Sequence, residues 1–218
     1  MTQPSIDPTI ALETADRGRA LLAAGRDAEA LAAFERAAWL APHEPRIQWA
    51  LANMLWRLDR KEEAAAAYER VVDMLPSEAA PRCNLAELLA VLGRITDARV
   101  QIAGARAVAP DDPHLHFAEA TVRLAQHRRA AAEESARQAV ASGSLPKFAY
   151  LSLGDALLAQ GRSAEALTAY RTARTHCAAE DLAVMRQDLA WLATVYPELP
   201  VQTHRQALAV FASATSRG

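Results

Sequence analysis

The sequence predicts an all-α solenoid of antiparallel helix hairpins, finished at its C-terminal end by capping helices. Three observations predict it. A 34-residue period runs through residues 11–180 without an insertion, alanine and other small residues recur in fixed columns, and turn residues recur between them. A fixed period of this length dictates the architecture, because one hairpin cannot bury its own apolar face and must stack on neighbours.

The windows are 11–44, 45–78, 79–112, 113–146 and 147–180, preceded by a leader at 1–10 and followed by a C-terminal segment at 181–218. Position 20 of each window is Ala30, Ala64, Ala98, Ala132 and Ala166. Position 8 is Gly18, Ala52, Ala86, Ala120 and Gly154. Two helices cross closely where both columns are small. Position 24 is Phe34, Tyr68, Ile102, Ala136 and Tyr170, and it fills the space beside that crossing. Position 15 carries Gly25, Asp59, Gly93, His127 and Gly161, at the point where the first helix of each hairpin must end with positive φ. Proline at position 32 (Pro42, Pro76, Pro110) stops the second helix. Asp112 before Pro113 reads as an N-cap with proline in the first turn.

After the repeats, residues 181–195 read as a helix mixing Met185, Leu189, Trp191 and Leu192 with Arg186, Gln187 and Asp188. That mixture suits a terminal helix covering repeat five on one side and facing water on the other. Pro197 and Pro200 bracket a break, and residues 201–214 form a last helix with Leu208 and Phe211 on one stripe. That stripe packs on the cap or, alternatively, serves docking or self-association.

The fifth window carries Tyr150, Leu153, Gly154, Leu157, Gly161, Ala166, Tyr170 and Ala173. With the columns above, this resembles the tetratricopeptide repeat family over residues 11–180. The resemblance implies a right-handed superhelix whose first helices line a concave face, with groove-facing side chains at positions 2, 5, 6, 9, 12 and 13. Helical geometry agrees, since positions 2, 5, 9 and 12 fall on one stripe. The implied partner-binding residues are Arg46, Trp49, Asn53 and Trp56 in repeat two, Asn84 and Glu87 in repeat three, His114, Phe117 and Thr121 in repeat four, and Phe148 and Asp155 in repeat five. Trp49 and Phe117 are expected as open groove contacts. Trp56 and Phe148 divide evenly between groove and seam. Asn53 and Asn84 look like the asparagine pair of a carboxylate clamp. The basic positions of that clamp hold Trp49, His114 and Ala118, which argues against a chaperone-tail ligand.

Other features have plain readings. Position 16 is Arg26, Arg60, Arg94, Arg128 and Arg162, a ladder that complements the dipole at the end of each first helix or offers an edge to an acidic partner. Glu119 and Arg123 replace the leucines of repeat four, are spaced for a helical ion pair, and predict a looser repeat. Trp39 faces outward, either onto the N-terminal segment or as a second contact surface. His114 and His116 are badly spaced for a metal, Glu133 and Glu134 diverge, and there is no phosphate loop or nucleophile elbow.

The net charge is −2 with acids and bases intermixed, which argues against a nucleic-acid binder. No run is long and apolar enough for membrane insertion, and residues 1–10 hold no apolar leader core. Cys83 and Cys177 suggest no disulfide framework, so a cytoplasmic location is expected, and the Ala/Arg bias points to a bacterial source. The reading is an adaptor or chaperone-like scaffold, not an enzyme, with no cofactor, holding a peptide or helix of another protein. The rival is a regulatory or assembly subunit of an enzyme or secretion complex, docking through the convex face, the arginine edge or the C-terminal helix.

Overall fold

The structure is a computed structural model that describes residues 8–212. Among these residues there are twelve α-helices and no strand. Five hairpins come first: α1 (Pro8–Ala23) with α2 (Asp27–Leu40), α3 (Pro45–Arg57) with α4 (Lys61–Met74), α5 (Ala79–Val91) with α6 (Ile95–Val108), α7 (Pro113–Ala125) with α8 (Arg129–Ala141), and α9 (Pro146–Ala159) with α10 (Ser163–Thr175). Then follow α11 (Asp181–Val195) and α12 (Val201–Val210). The molecule is an all-α repeat solenoid.

The turn chemistry is the same in every hairpin. Gly25, Asp59, Gly93, His127 and Gly161 all have φ between 57° and 76°. In the first hairpin the Gly25 N–H donates to Leu22 O and the Arg26 N–H to Leu21 O, each at 2.9 Å. The same pair of bonds recurs through Arg162 and Leu157 in the fifth. This is the Schellman closure of a helix C-terminus, which satisfies its last carbonyls. Asp112 caps α7 by accepting from the His114 N–H at 2.8 Å, with Pro113 at the first helical position.

The small columns sit where the helices cross. All five position-20 alanines are fully buried. A Cβ on Gly154 would lie 2.4 Å from the Tyr170 ring, and one on Gly18 2.9 Å from Phe34. The Phe34 and Tyr170 rings thus lie directly against a position-8 glycine, whereas Tyr68, Ile102 and Ala136 have alanine in that column.

The core has two main bodies. One joins repeats one to three, with Val122 of α7, around Phe34, Met54, Tyr68 and Leu88. A second joins repeats four and five to α11 and α12 around Leu157, Tyr170, Met185, Leu192 and Phe211. Between them lie only small clusters, such as Cys83 with Leu115 and Phe117 with Ala149. The convex side of that seam holds a cavity of about 260 Å³ between Ile102, Arg106, Glu119 and Arg123. The Glu119–Arg123 pair forms at 3.5 Å, but it is one edge of a larger network. Glu119 also accepts from Arg106 and from Ser135, and Arg123 reaches the Ala131 carbonyl at 2.9 Å. The polar pair thus replaces leucine packing with a satisfied buried network, and the seam beside it is open.

The arginine ladder works differently from dipole complementation. Each arginine precedes the second helix of its hairpin, and four of the five grip a first-turn carboxylate three residues on: Arg26–Glu29, Arg60–Glu63, Arg94–Asp97 and Arg162–Glu165. Three of them also reach back to the preceding repeat, at Glu35, Glu69 and Glu133. At the sequence positions corresponding to Glu35 and Glu63, Arg128 has Ala103 and Ala131, so no carboxylate stands at either. Glu133, bonded by Gln160, Arg137 and Arg162, is held at about 2 against the opposing effect of its burial. The edge is thus largely neutralised by the chain's own acids.

Candidate functional site

The concave face is built by the first helices of repeats two to five, and α11 lies along it. The sequence predicts a cap on repeat five. The structure carries α11 as far as repeat two, where the Gln187 side-chain amide donates to the Arg57 carbonyl at 2.8 Å and Arg57 donates to the Glu180 carbonyl. Lys147 pairs with Asp181 at 2.7 Å near the start of the helix. Beyond its end, the Tyr196 hydroxyl donates to the Leu124 carbonyl at 2.9 Å, and Arg129 stacks over the Tyr196 ring. The helix lies across the concave face because the curve of the array brings repeats two and five to its two sides.

A cavity of about 320 Å³ remains between α11 and the groove. Trp49, Asn53 and Trp56 wall it from repeat two, Asn84 and Glu87 from repeat three, His114 and Phe117 from repeat four, and Phe148 from repeat five. Val184, Met185 and Asp188 of α11 close it. Thr121 and Asp155 line a smaller adjoining cavity of about 30 Å³, again with Glu87 and Asp188. Of the eleven residues read from the sequence, ten are brought together. Arg46 is not: it is exposed at the start of α3, outside both cavities. Arg57, Tyr68 and the α11 residues are additional.

The aromatic wall is only partly free. Phe117 is 5% exposed and stacks on Phe148 at 5.7 Å, so it supports the wall instead of standing open. Trp49, Trp56 and Phe148 are half-buried, and Trp56 meets Tyr68 edge-on. Trp39, on the opposite side of the chain, is 64% exposed beside a cleft of about 570 Å³ with Pro42, Leu51 and Met74. The segment expected to cover it lies outside the described residues.

Position 9 supplies a polar floor: Asn53, Glu87, Thr121 and Asp155. Tyrosine at position 24 anchors two of these groups within their own hairpins. The Tyr68 hydroxyl donates to Asn53 Oδ1, and Asn84 lines the same cavity. The Tyr170 hydroxyl donates to Asp155 Oδ1 at 2.8 Å. In repeat three the tyrosine is replaced by Ile102, and Glu87 has no hydrogen-bond or ion-pair partner among the described residues. Burial pushes the Asp155 carboxyl up to about 7. Burial and the neighbouring Asp188 raise Glu87 well above the usual carboxylate range. Asp188 is raised in turn by burial and Asp155, against a weaker opposing pull from Lys61.

A repeat solenoid with a concave, aromatic-walled groove defines a class: the protein–protein interaction scaffold. The chain matches the tetratricopeptide repeat over residues 15–81 and 117–181, and a second model described in the same words over 55–122. It belongs to the tetratricopeptide repeat family. Among solved structures it is similar to a thermophilic tetratricopeptide repeat protein of Thermus thermophilus, with 26% identity and a TM-score of 0.67 over 85% of this chain and 98% of that one. It is also similar in fold to PilW, a type IV pilus biogenesis factor, with 15% identity and a TM-score of 0.61 over 92% and 91% of the two chains. Pseudomonas aeruginosa PilF gives 17% identity and a TM-score of 0.57 over 92% and 88%. No curated protein matches the sequence. No helix among the described residues is long and apolar enough to cross a membrane.

Proposed function

We propose that this protein is a non-catalytic adaptor that holds a helix or peptide of a partner protein in its concave groove, against Trp49, Trp56, Phe117 and Phe148. The observation that carries the reading is the groove itself. It is walled by half-buried aromatics, floored by polar position-9 side chains, and already accommodates one helix, α11, with space to spare. Aromatic anchors beside isolated polar groups are the usual energetic centres of protein interfaces. Arg46, exposed at the start of α3 and outside both cavities, would reach a partner only beyond the groove walls. The free cysteines fit a reducing, cytoplasmic setting.

The alternative edges have less to offer. The position-16 arginines are mostly spent on the chain's own carboxylates, and α12 turns Ala207 and Phe211 inward against Tyr170.

Trp49→Ala/Phe148→Ala tests the reading, since both side chains line the groove cavity and neither is fully buried. Partners captured by the wild-type chain should fall at least tenfold in yield with the variant, while circular dichroism stays unchanged. Equal recovery of the same partners would place the binding surface elsewhere.

A further inference from the structure

The way α11 occupies the groove is poorly matched in charge, and that mismatch says what fits better. Its Asp188 is set against Glu87 of α5 and Asp155 of α9, in the walls of the small cavity shared with Trp56, Thr121 and Trp191. None of the three carboxylates has a salt bridge among the described residues. The groove's nearby cations are engaged elsewhere: Arg57 on Asp27 and the Glu180 carbonyl, and Lys147 on Asp181. Lys61 pairs with Asp59 and reaches Asp188 only weakly. His114 is paired with Asp112.

Withdrawing carboxylates from water without a counter-ion is costly, and a like charge opposite adds to the cost. The apolar part of the seat is also unfinished, since about 320 Å³ stays open between α11 and the aromatic wall. Both features point the same way. The surface accepts an amphipathic helix, the helix present fills it incompletely, and the floor carries acidic groups that this helix does not neutralise.

We infer that α11 is an intramolecular stand-in, and that the groove's preferred occupant is a partner helix with bulky apolar residues and a lysine or arginine placed where α11 carries Asp188. This rests on the groove reading above and adds the partner's chemistry to it. A cation between Glu87 and Asp155 converts repulsion into charge-assisted hydrogen bonds. The unfavourable Asp188 keeps α11 displaceable while it shields the aromatics. A partner gains only the difference between its own affinity and that of α11, so a weak stand-in matters.

Two synthetic peptides of the α11 sequence, one unchanged and one carrying Asp188→Lys, test this by fluorescence anisotropy on the full-length chain. They are titrated into the wild type, into Met185→Ala, which loosens the resident helix, and into Glu87→Gln/Asp155→Asn. The lysine peptide should bind wild type and Met185→Ala at least tenfold more tightly than the unchanged peptide, about 1.4 kcal/mol. The two peptides should converge on Glu87→Gln/Asp155→Asn. Equal affinities on the wild type and Met185→Ala would leave the groove reading standing and overturn the charge preference. Failure of both peptides to bind even Met185→Ala would overturn the groove reading as well. A tenfold preference that survives in Glu87→Gln/Asp155→Asn would mean the cation is read elsewhere. If that double variant does not fold, Asp188→Lys in the full-length chain serves instead. It should raise the thermal midpoint and weaken lysine-peptide binding tenfold, and an unchanged midpoint and affinity would overturn the inference.

Discussion

Gly154→Ala is the sharpest test of the packing in repeat five. An added Cβ would lie 2.4 Å from Tyr170 Cε1 and 2.5 Å from Cδ1, about 1 Å inside ordinary contact. The ring cannot easily retreat. Tyr170 is fully buried, packs edge-on against Phe211 at 6.0 Å, and holds Asp155 through its hydroxyl at 2.8 Å. Overpacking a core position costs about 1–3 kcal/mol. Pulling the hydroxyl from Asp155 costs about another 1 kcal/mol. Alanine recovers about 1 kcal/mol of helix propensity over glycine. The net expectation is a loss of roughly 1–3 kcal/mol, read as a lower urea midpoint with circular dichroism as the probe. Gly104→Ala is the control. Its Cβ would meet only the far end of the Arg82 side chain, no closer than 3.2 Å, so the propensity gain should dominate and the midpoint should rise. If Gly154→Ala proves as stable as Gly104→Ala, then close approach is not what keeps glycine at position 8.

Three further outcomes follow from the same structure. Asp155 is raised on folding, so its contribution to stability is complete below the ordinary carboxylate range near 4 and is lost as pH rises through about 7. Urea midpoints should therefore fall from pH 5 to pH 8, with Asp155→Asn, which keeps the acceptor for Tyr170, flattening the slope; a slope unchanged by the substitution would remove Asp155 as its source. Glu119→Leu alone removes the carboxylate shared by Arg123, Arg106 and Ser135 and should destabilise by about 1–3 kcal/mol, whereas Glu119→Leu/Arg123→Leu should return to within about 1 kcal/mol of wild type or exceed it in urea unfolding. Asp59 has φ 62° and only an exposed contact to Lys61, so Asp59→Gly should raise the thermal midpoint by the equivalent of about 0.5–1 kcal/mol.

The repeats were legible because their rules are local. Each hairpin contacts only its neighbours, so the demand for a small residue at position 20, or for positive φ at position 15, is met again every 34 residues and shows as a column. Asp59 and His127 fill the left-handed position as Gly25 does, and the period identifies them where residue type alone would not. The groove stripe was readable for the same reason, since spacing along one helix decides which side chains share a face. Phe117 illustrates the limit. Its position marks it as groove-facing, but its burial depends on Phe148 from the next repeat and on Ala149.

The sequence by itself determined the hairpins, their turns and the polar-aromatic stripe, because these follow from contacts a few residues to one repeat apart. The tertiary structure alone decided what covers that stripe. Gln187 meets Arg57 across 130 positions of sequence, and Tyr196 meets Leu124 across 72. Such meetings depend on the accumulated curvature of five stacked hairpins, which no single window encodes. The same curvature sets Asp188 beside Glu87 and Asp155, turning three ordinary acids of the sequence into a half-buried cluster without a salt bridge among the described residues.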